Sequence, residues 1–560
     1  MGADGATSRN SSGWVGKPAR PFPRFGTLLV GAIALIIGMP VLALLAMALG
    51  ASPENLGALW RTVLPRSSLT TLILLAGLAV FAGSIGAISA WLVTFFDFPG
   101  RRLFAWALML PLAVPTYISA YAFTEFFTYT GPVQALVRDI GGFSTSRDYW
   151  FPDIRSTGGA VLVLSAVLYP YVYMSVRALF LSQGRRAIEA GLALGAGQGR
   201  ILGRILLPLA RPALALGIIL AMMEAVNDIG AMEYLGVNTL TFSIFSLWTN
   251  QGDMGGAAQL AVILLVLVLA LIGAERLARR RQSYISLGTG GDAFARLPLR
   301  GGRAALAFVL CLLPVLAGFG IPFITFAGTT IRAGEFGISG ALLNALATSF
   351  SLSALAALIA VLLALLLRFT LRTHPIRILA VLARIAASGY AMPGTLIGLG
   401  ILVPLAMLDN FIDSQMRALF SVSTGLLITG SGATIVYAYV IRFMAAAEGT
   451  IDAGMKRIST SLDEAARCFG YSNGRILLRI LVPLLHPALA TAALLVFIES
   501  LKELSATLVL RPFGVETLSI RIHDLASRGR IEEVGMAALL LLLAGIIPAI
   551  LLSRSSLKDR

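Results

Sequence analysis

Apolar residues along this 560-residue chain come in long runs of about 20, and short polar stretches separate them. A run of that length crosses a bilayer core of ~30 Å as an α-helix. Barrel strands would instead alternate apolar and polar residues over about 10 positions, so helices fit the pattern better. The length criterion predicts about 12 spans: 27–49, 69–95, 104–129, 158–181, 212–233, 257–274, 304–327, 346–367, 378–404, 421–445, 486–508 and 536–553. The expected fold class is therefore an all-α membrane protein with two six-helix halves. An even number of spans per half makes the repeat parallel, both halves entering the membrane in one orientation.

Composition agrees, since 57% of residues are hydrophobic and only 13% charged, far too apolar for an ordinary soluble protein. The net charge of +16 raises the question of nucleic acid, and its distribution answers it. With both termini inside, and with Arg177 and Arg442 near the inner ends of their spans counted with the inner segments, these carry 31 of the 44 Lys and Arg and the outer segments 11, with Arg384 and Lys502 inside spans. That is the positive-inside pattern. Arg279, Arg280 and Arg281 directly follow the sixth span, so they mark topology, and no nucleic-acid partner is expected. Residues 1–26 are Ser-, Gly- and Pro-rich and basic, as in a disordered cytoplasmic tail. The first apolar run, with a core of about 22 residues, exceeds the ~7–15 of a signal peptide and predicts an uncleaved anchor. Cys311 and Cys468 lie far apart, and His374, His486 and His523 are scattered. This spacing supports neither a disulfide framework nor a zinc or haem site.

The decisive repeat lies between spans. Glu189 to Leu214 reads EAGLALGAGQGRILGRILLPLARPAL and Glu464 to Leu489 reads EAARCFGYSNGRILLRILVPLLHPAL; 15 of 26 positions are identical at an offset of 275 residues. Apolar spans resemble one another by composition alone, whereas loops sharing Glu, Gly, Arg, Ile and Pro at fixed positions do not. Both copies fit EAA-x3-G-x9-I-x-L-P closely. The chain thereby resembles the permease subunits of binding-protein-dependent ABC importers, with two units fused. Leu110 to Tyr117, Gly389 to Thr395, Tyr439 to Phe443 and Ser461 to Asp463 are similar to segments of the ferric-iron permease group, and also occur in thiamine, polyamine and phosphonate importers.

The resemblance implies a type I importer permease fold. It places a first permease unit at 27–274 (transmembrane domain about 66–274), a Gly- and Arg-rich cytoplasmic linker at 275–303, and a second unit at 304–553 (about 344–553). It also implies that Glu189, Ala190, Gly191 and Gly195, with Glu464, Ala465, Ala466 and Gly470, form two coupling helices, each seated on one of two ATP-binding subunits. Physically, a glutamate near a helix start suits the dipole, small residues permit close approach, and glycine ends the helix. Gly191 stands where the second copy has Ala466, which costs about 1 kcal/mol of helix stability. The bland reading makes both loops amphipathic and interfacial.

The chain holds no G-x4-G-K-[ST] phosphate loop, so it is not expected to be an enzyme and no catalytic residue is assigned. No cofactor is expected on the chain; ATP and Mg belong to the partner ATPases. The remaining expected partners are a periplasmic or surface-tethered binding protein and membrane lipid. The expected location is the bacterial inner membrane, multi-pass, with both termini cytoplasmic. Spans five and eleven each carry two acids, Glu224 with Asp228 and Glu499 with Glu503, again 275 residues apart. In continuous helices each i, i+4 pair lies on one face. Acids within spans are expensive and mark either a cation pathway or buried pairing, Lys502 being the available cation. The preferred substrate is Fe(III), its metal-coordinating residues unassigned. The alternatives are an ABC permease for thiamine, polyamine or phosphonate, and an ion-gradient-driven secondary transporter, which shares six plus six spans without the loop motif.

Overall fold

The structure, a computed structural model, describes residues 24–181, 200, 202–283, 296–334, 337, 339–374, 376–386, 389 and 392–558. It is built of helices. The first half contains α1 (Arg24–Gly50), α2 (Val63–Phe95), α3 (Thr116–Phe127), α4 (Thr157–Leu179), α5 (Leu207–Asn227), α6 (Gly230–Tyr234) and α7 (Met254–Ser283). The second contains α8 (Gly302–Ala333), α9 (Gly340–Thr373), α10 (Arg377–Ala386), α11 (Gly394–Phe420), α12 (Ala433–Lys456), α13 (Thr460–Cys468), α14 (Val482–Leu501), α15 (Ser505–Leu510), α16 (Leu518–Ser527) and α17 (Ile531–Lys558). Among the described residues the strands are a two-residue parallel pair, where Leu297–Pro298 of the expected linker lies beside Phe96–Asp97.

Nine helices among the described residues are long and apolar enough to span a membrane, ten if one bent pair counts as a span. About twelve were expected, and the differences at the third, ninth and tenth have a local cause. The third predicted span, 104–129, is broken: Pro115 precedes α3, and the flanking segments meet at 96°. The ninth, 378–404, is likewise split, α10 ending at Ala386 and α11 starting after Pro393. Proline disfavours helical backbone in the residue before it and provides no N–H, so both helices begin on its far side. The tenth, 421–445, starts late as α12 at Ala433 and contains Arg442 and Glu448, which lower its hydropathy. The twelfth falls in α17, whose side chains are only partly described.

Ser156, Ser339 and Thr517 cap α4, α9 and α16 by accepting backbone N–H bonds, relieving donors a helix start leaves unpaired. Inside the bundle, Ala82, Gly83, Gly86, Ser89 and Ala90 of α2 are buried and bring it close to α4. Small residues allow this backbone approach where apolar lipid provides no hydrophobic drive.

The halves exchange their first spans. Helix α1 packs on α10 and α11 of the second half as well as on α7, and the Tyr437 hydroxyl donates to the Ile36 carbonyl. Helix α8 in turn packs on α3 of the first half and on α17. A buried cluster joins the halves, with Val114, Tyr117 and Ile118 of the first against Leu501, Leu504 and Leu518 of the second.

Candidate functional site

The paired acids do not lie on continuous helical faces as expected. Helix α5 stops at Asn227, and Asp228 has extended backbone, with φ −88° and ψ 110°. Its Oδ1 accepts the Ala231 N–H at 2.9 Å, at the start of α6. In the second half α14 stops at Leu501, and Glu503 accepts the N–H groups of Ala506 at 3.0 Å and Thr507 at 3.2 Å, at the start of α15. Each acid thus caps a second short helix across a break in its span. Carboxylates at helix starts are favoured by unpaired N–H groups and by the dipole. The carbonyls left at the breaks are also satisfied: Thr241 donates to Val226, Ser519 to Leu501, and Ser505 crosses between halves to Asn227 at 2.9 Å.

All four acids line one cavity of about 250 Å³ between the halves, whose walls also include Pro115, Thr116, Arg442 and Lys502. Within it, Glu503 pairs with Arg442 at 2.7 Å and Glu499 with Lys502 at 2.9 Å. Both second-half carboxylates therefore have a counter-ion. Glu224 and Asp228 are in no ion pair among the described residues. Asp228 is buried, and its Oδ2 makes no hydrogen bond, with Thr116 the adjacent polar side chain. The negative charge of the cavity is thus concentrated on the wall built by the first half. Among the described residues no group of three His, Cys, Asp or Glu is placed to hold a metal ion, so the cavity has charge without a chelating cluster.

The two walls also differ at the residue after each proline. After Pro115 comes Thr116, beside Asp228; after Pro393 comes Gly394, beside Glu503. A Cβ on Gly394 would lie 2.6 Å from Arg442 Nη1 and 2.8 Å from Glu503 Oε1. Only glycine leaves room for the buried guanidinium. Arg442, taken with the inner segments in the charge count, is in fact in the cavity wall.

The second repeat loop forms helix α13, with Glu464 and Ala465 exposed and Ala466 buried. Gly470 ends it with φ +78°, its N–H bonded to the Arg467 carbonyl at 2.9 Å, while Tyr471 N–H reaches Ala466 at 3.0 Å. This left-handed stop is the role glycine suits best. Phe469, at the tip, is 83% exposed. Glu189, Ala190, Gly191 and Gly195 of the first loop lie outside the described residues.

Residues 79–284 match the family described as binding-protein-dependent transport system inner membrane component. Along 97% of this chain and the full length of the relative, it is 24% identical to the Fe(3+)-transport system permease protein FbpB 2 of Haemophilus influenzae. It is 29% identical to the sulfate transport system permease protein CysW of Escherichia coli over 44% of this chain and 82% of that one. A putative 2-aminoethylphosphonate transport system permease protein, PhnU of Salmonella typhimurium, is 28% identical over 35% of this chain and 69% of its own. Residues 79–284 thus carry the domain of this permease family, and similarity to a permease runs along nearly the whole chain. The chain is a multi-pass inner-membrane permease with the length of two fused units.

His523 of α16 bridges to Glu233 of α6 at 3.0 Å, a second polar link between the halves. Burial lowers the His523 imidazole, and hydrogen bonds and charge from Asp524 and Glu233 outweigh it, raising it above its ordinary value. Sequence reading missed Arg442 and Thr116 as members of the site. Arg442 had a visible signal, an arginine in the middle of an apolar run, and Thr116 had none.

Proposed function

We propose that this permease is the membrane part of an ABC importer for Fe(III). Two ATP-binding subunits dock on the loops at 189–195 and 464–470, hydrolyse ATP with Mg and move the two halves. A periplasmic or surface-tethered binding protein delivers substrate at the opposite face, both termini being cytoplasmic. The units remain those proposed from the sequence, 27–274 and 304–553, with the linker between them and lipid around both.

One observation supports a cation above the other substrates: four acids line the cavity against two cations, and those cations pair directly with Glu503 and Glu499, leaving Glu224 and Asp228 without an ion pair of their own among the described residues. Carboxylates on low-dielectric walls focus the field and raise the local concentration of a cation. The full-length similarity to a relative named for Fe(3+) points the same way. With no chelating cluster among the described residues, the cavity attracts the ion and lets it go, as passage requires. Arg442 and Lys502 favour a second reading, an oxyanion such as the sulfate or 2-aminoethylphosphonate named for two relatives. An oxyanion would have to take them from Glu503 and Glu499. The test is uptake into proteoliposomes holding the permease, its ATPase and candidate binding proteins, with Fe(III), sulfate and 2-aminoethylphosphonate in parallel. ATP-dependent accumulation of Fe(III) alone is expected; accumulation of an oxyanion alone overturns the iron assignment.

A further inference from the structure

We propose that Arg372 is a positioning residue that fastens the second coupling helix to the membrane bundle. This rests on the reading of 464–470 as an ATPase docking site.

Arg372 lies in the last turn of α9. Its Nε donates to Asp463 Oδ2 at 2.7 Å, and Nη2 donates to Asp463 Oδ1 at 3.1 Å and to the Ser459 carbonyl at 3.0 Å. Nη1 donates to the carbonyls of Met455 at 2.9 Å and Ile458 at 3.1 Å. A guanidinium has five N–H donors in a rigid fork, and here every one is used. Both side chains are buried, Arg372 at 9% and Asp463 at 5% exposure. Met455 is in the last turn of α12, and Asp463 is in the first turn of α13. One side chain thus caps the negative end of α12, holds the start of the coupling helix and ties both to the end of α9.

The tie continues into the bundle. One turn earlier on α9, Arg368 pairs with Glu448 and, at 2.9 Å, with Asp452, which also holds Lys456 at 2.6 Å. A displacement of α13 is therefore passed to α9 and α12 together rather than absorbed by the turn at Arg457–Ser459. Helix α12 runs about 21 Å from Lys456 back to Arg442, which holds Glu503 in the cavity wall. The path from the docking helix to the cavity is a chain of bidentate and buried contacts on one rigid helix.

The acid of this clamp is not repeated in the first copy. At the 275-residue offset Ile188 stands where Asp463 does, and the last turn of α2 has no basic residue.

The test uses the full complex with its ATPase and binding protein in proteoliposomes. Cys468 is exposed on α13 while Cys311 is buried, so cross-linking through Cys468 reports docking without relying on the clamp. Arg372→Lys keeps the charge but has three donors without the planar fork, and Asp463→Asn keeps the shape. In both, Cys468 cross-linking should hold while substrate moved per ATP hydrolysed falls about fivefold or more, and binding protein should stimulate hydrolysis less. Asp463→Glu should recover most of the ratio. If cross-linking holds and the ratio is unchanged in both variants, the clamp plays no part in coupling. Loss of folded permease in both would make it a stability contact and overturn the proposal. Failure of the wild type itself to cross-link through Cys468 would instead remove the docking reading, and the proposal with it.

Discussion

Removing the charge of Glu503 should cost the permease far more stability than removing that of Asp228, although the two sit at equivalent breaks. Glu503 is 5% exposed and accepts bonds from Arg442, from the N–H groups of Ala506 and Thr507, and from the Thr507 hydroxyl. Glu503→Gln retains one acceptor oxygen and leaves the Arg442 guanidinium buried without a counter-charge. Breaking a buried pair by neutralising one member costs about 3–5 kcal/mol. Asp228→Asn keeps the oxygen that accepts from Ala231 and puts an amide where Oδ2 has no partner, so its cost should stay within about 1 kcal/mol. Arg442→Met combined with Glu503→Gln should recover much of the single-variant loss, since the buried guanidinium that Glu503→Gln leaves without its partner is then gone. Thermal unfolding of the purified permease across this double-mutant cycle measures the coupling. Equal destabilisation by Glu503→Gln and Asp228→Asn, or a coupling below about 0.5 kcal/mol, would refute the assignment of Glu503 to structure.

The same contrast should appear in transport: Asp228→Asn slows Fe(III) uptake while the unfolding temperature holds, and unchanged uptake takes Asp228 out of the pathway. Glu189→Lys with Glu464→Lys should reduce co-purification of the ATPase without affecting membrane insertion, because both changes add bulk and reversed charge at the docking loops; undiminished co-purification speaks against docking there. Cysteines introduced at Ser182 and Ser527 should label from opposite sides of sealed cells, and labelling from one side contradicts the orientation proposed. The His523–Glu233 bridge should stabilise the permease fully below the ordinary histidine value near 6.5 and lose that contribution as pH rises through the raised folded value. His523→Gln should flatten the unfolding temperature against pH, and an identical profile in the variant denies the bridge that role.

The acids show how far local pattern reaches. Their 275-residue offset and their place in apolar runs were legible, because burying a carboxylate in a span is costly enough to stand out. Their helical faces were misread, since i, i+4 spacing presumes an unbroken helix. Asp228 and Glu503 instead satisfy the N–H groups of new helices, α6 and α15. Arg442 is 61 positions from Glu503 and Arg372 is 91 from Asp463, and no periodicity or spacing rule links residues so far apart.

By itself, then, the sequence determined the helical membrane class, the doubling of the unit and the EAA loops, all of which depend on hydropathy and on residues near one another along the chain. Only the tertiary structure decided which acids have counter-ions, where Pro115 and Pro393 break the spans, that α1 and α8 cross to the opposite half, and that α13 is clamped to α9. Each of those depends on which side chains meet when helices pack: a Cβ at Gly394 would lie 2.6 Å from the Arg442 guanidinium, so the Arg442–Glu503 pair exists only because glycine stands there.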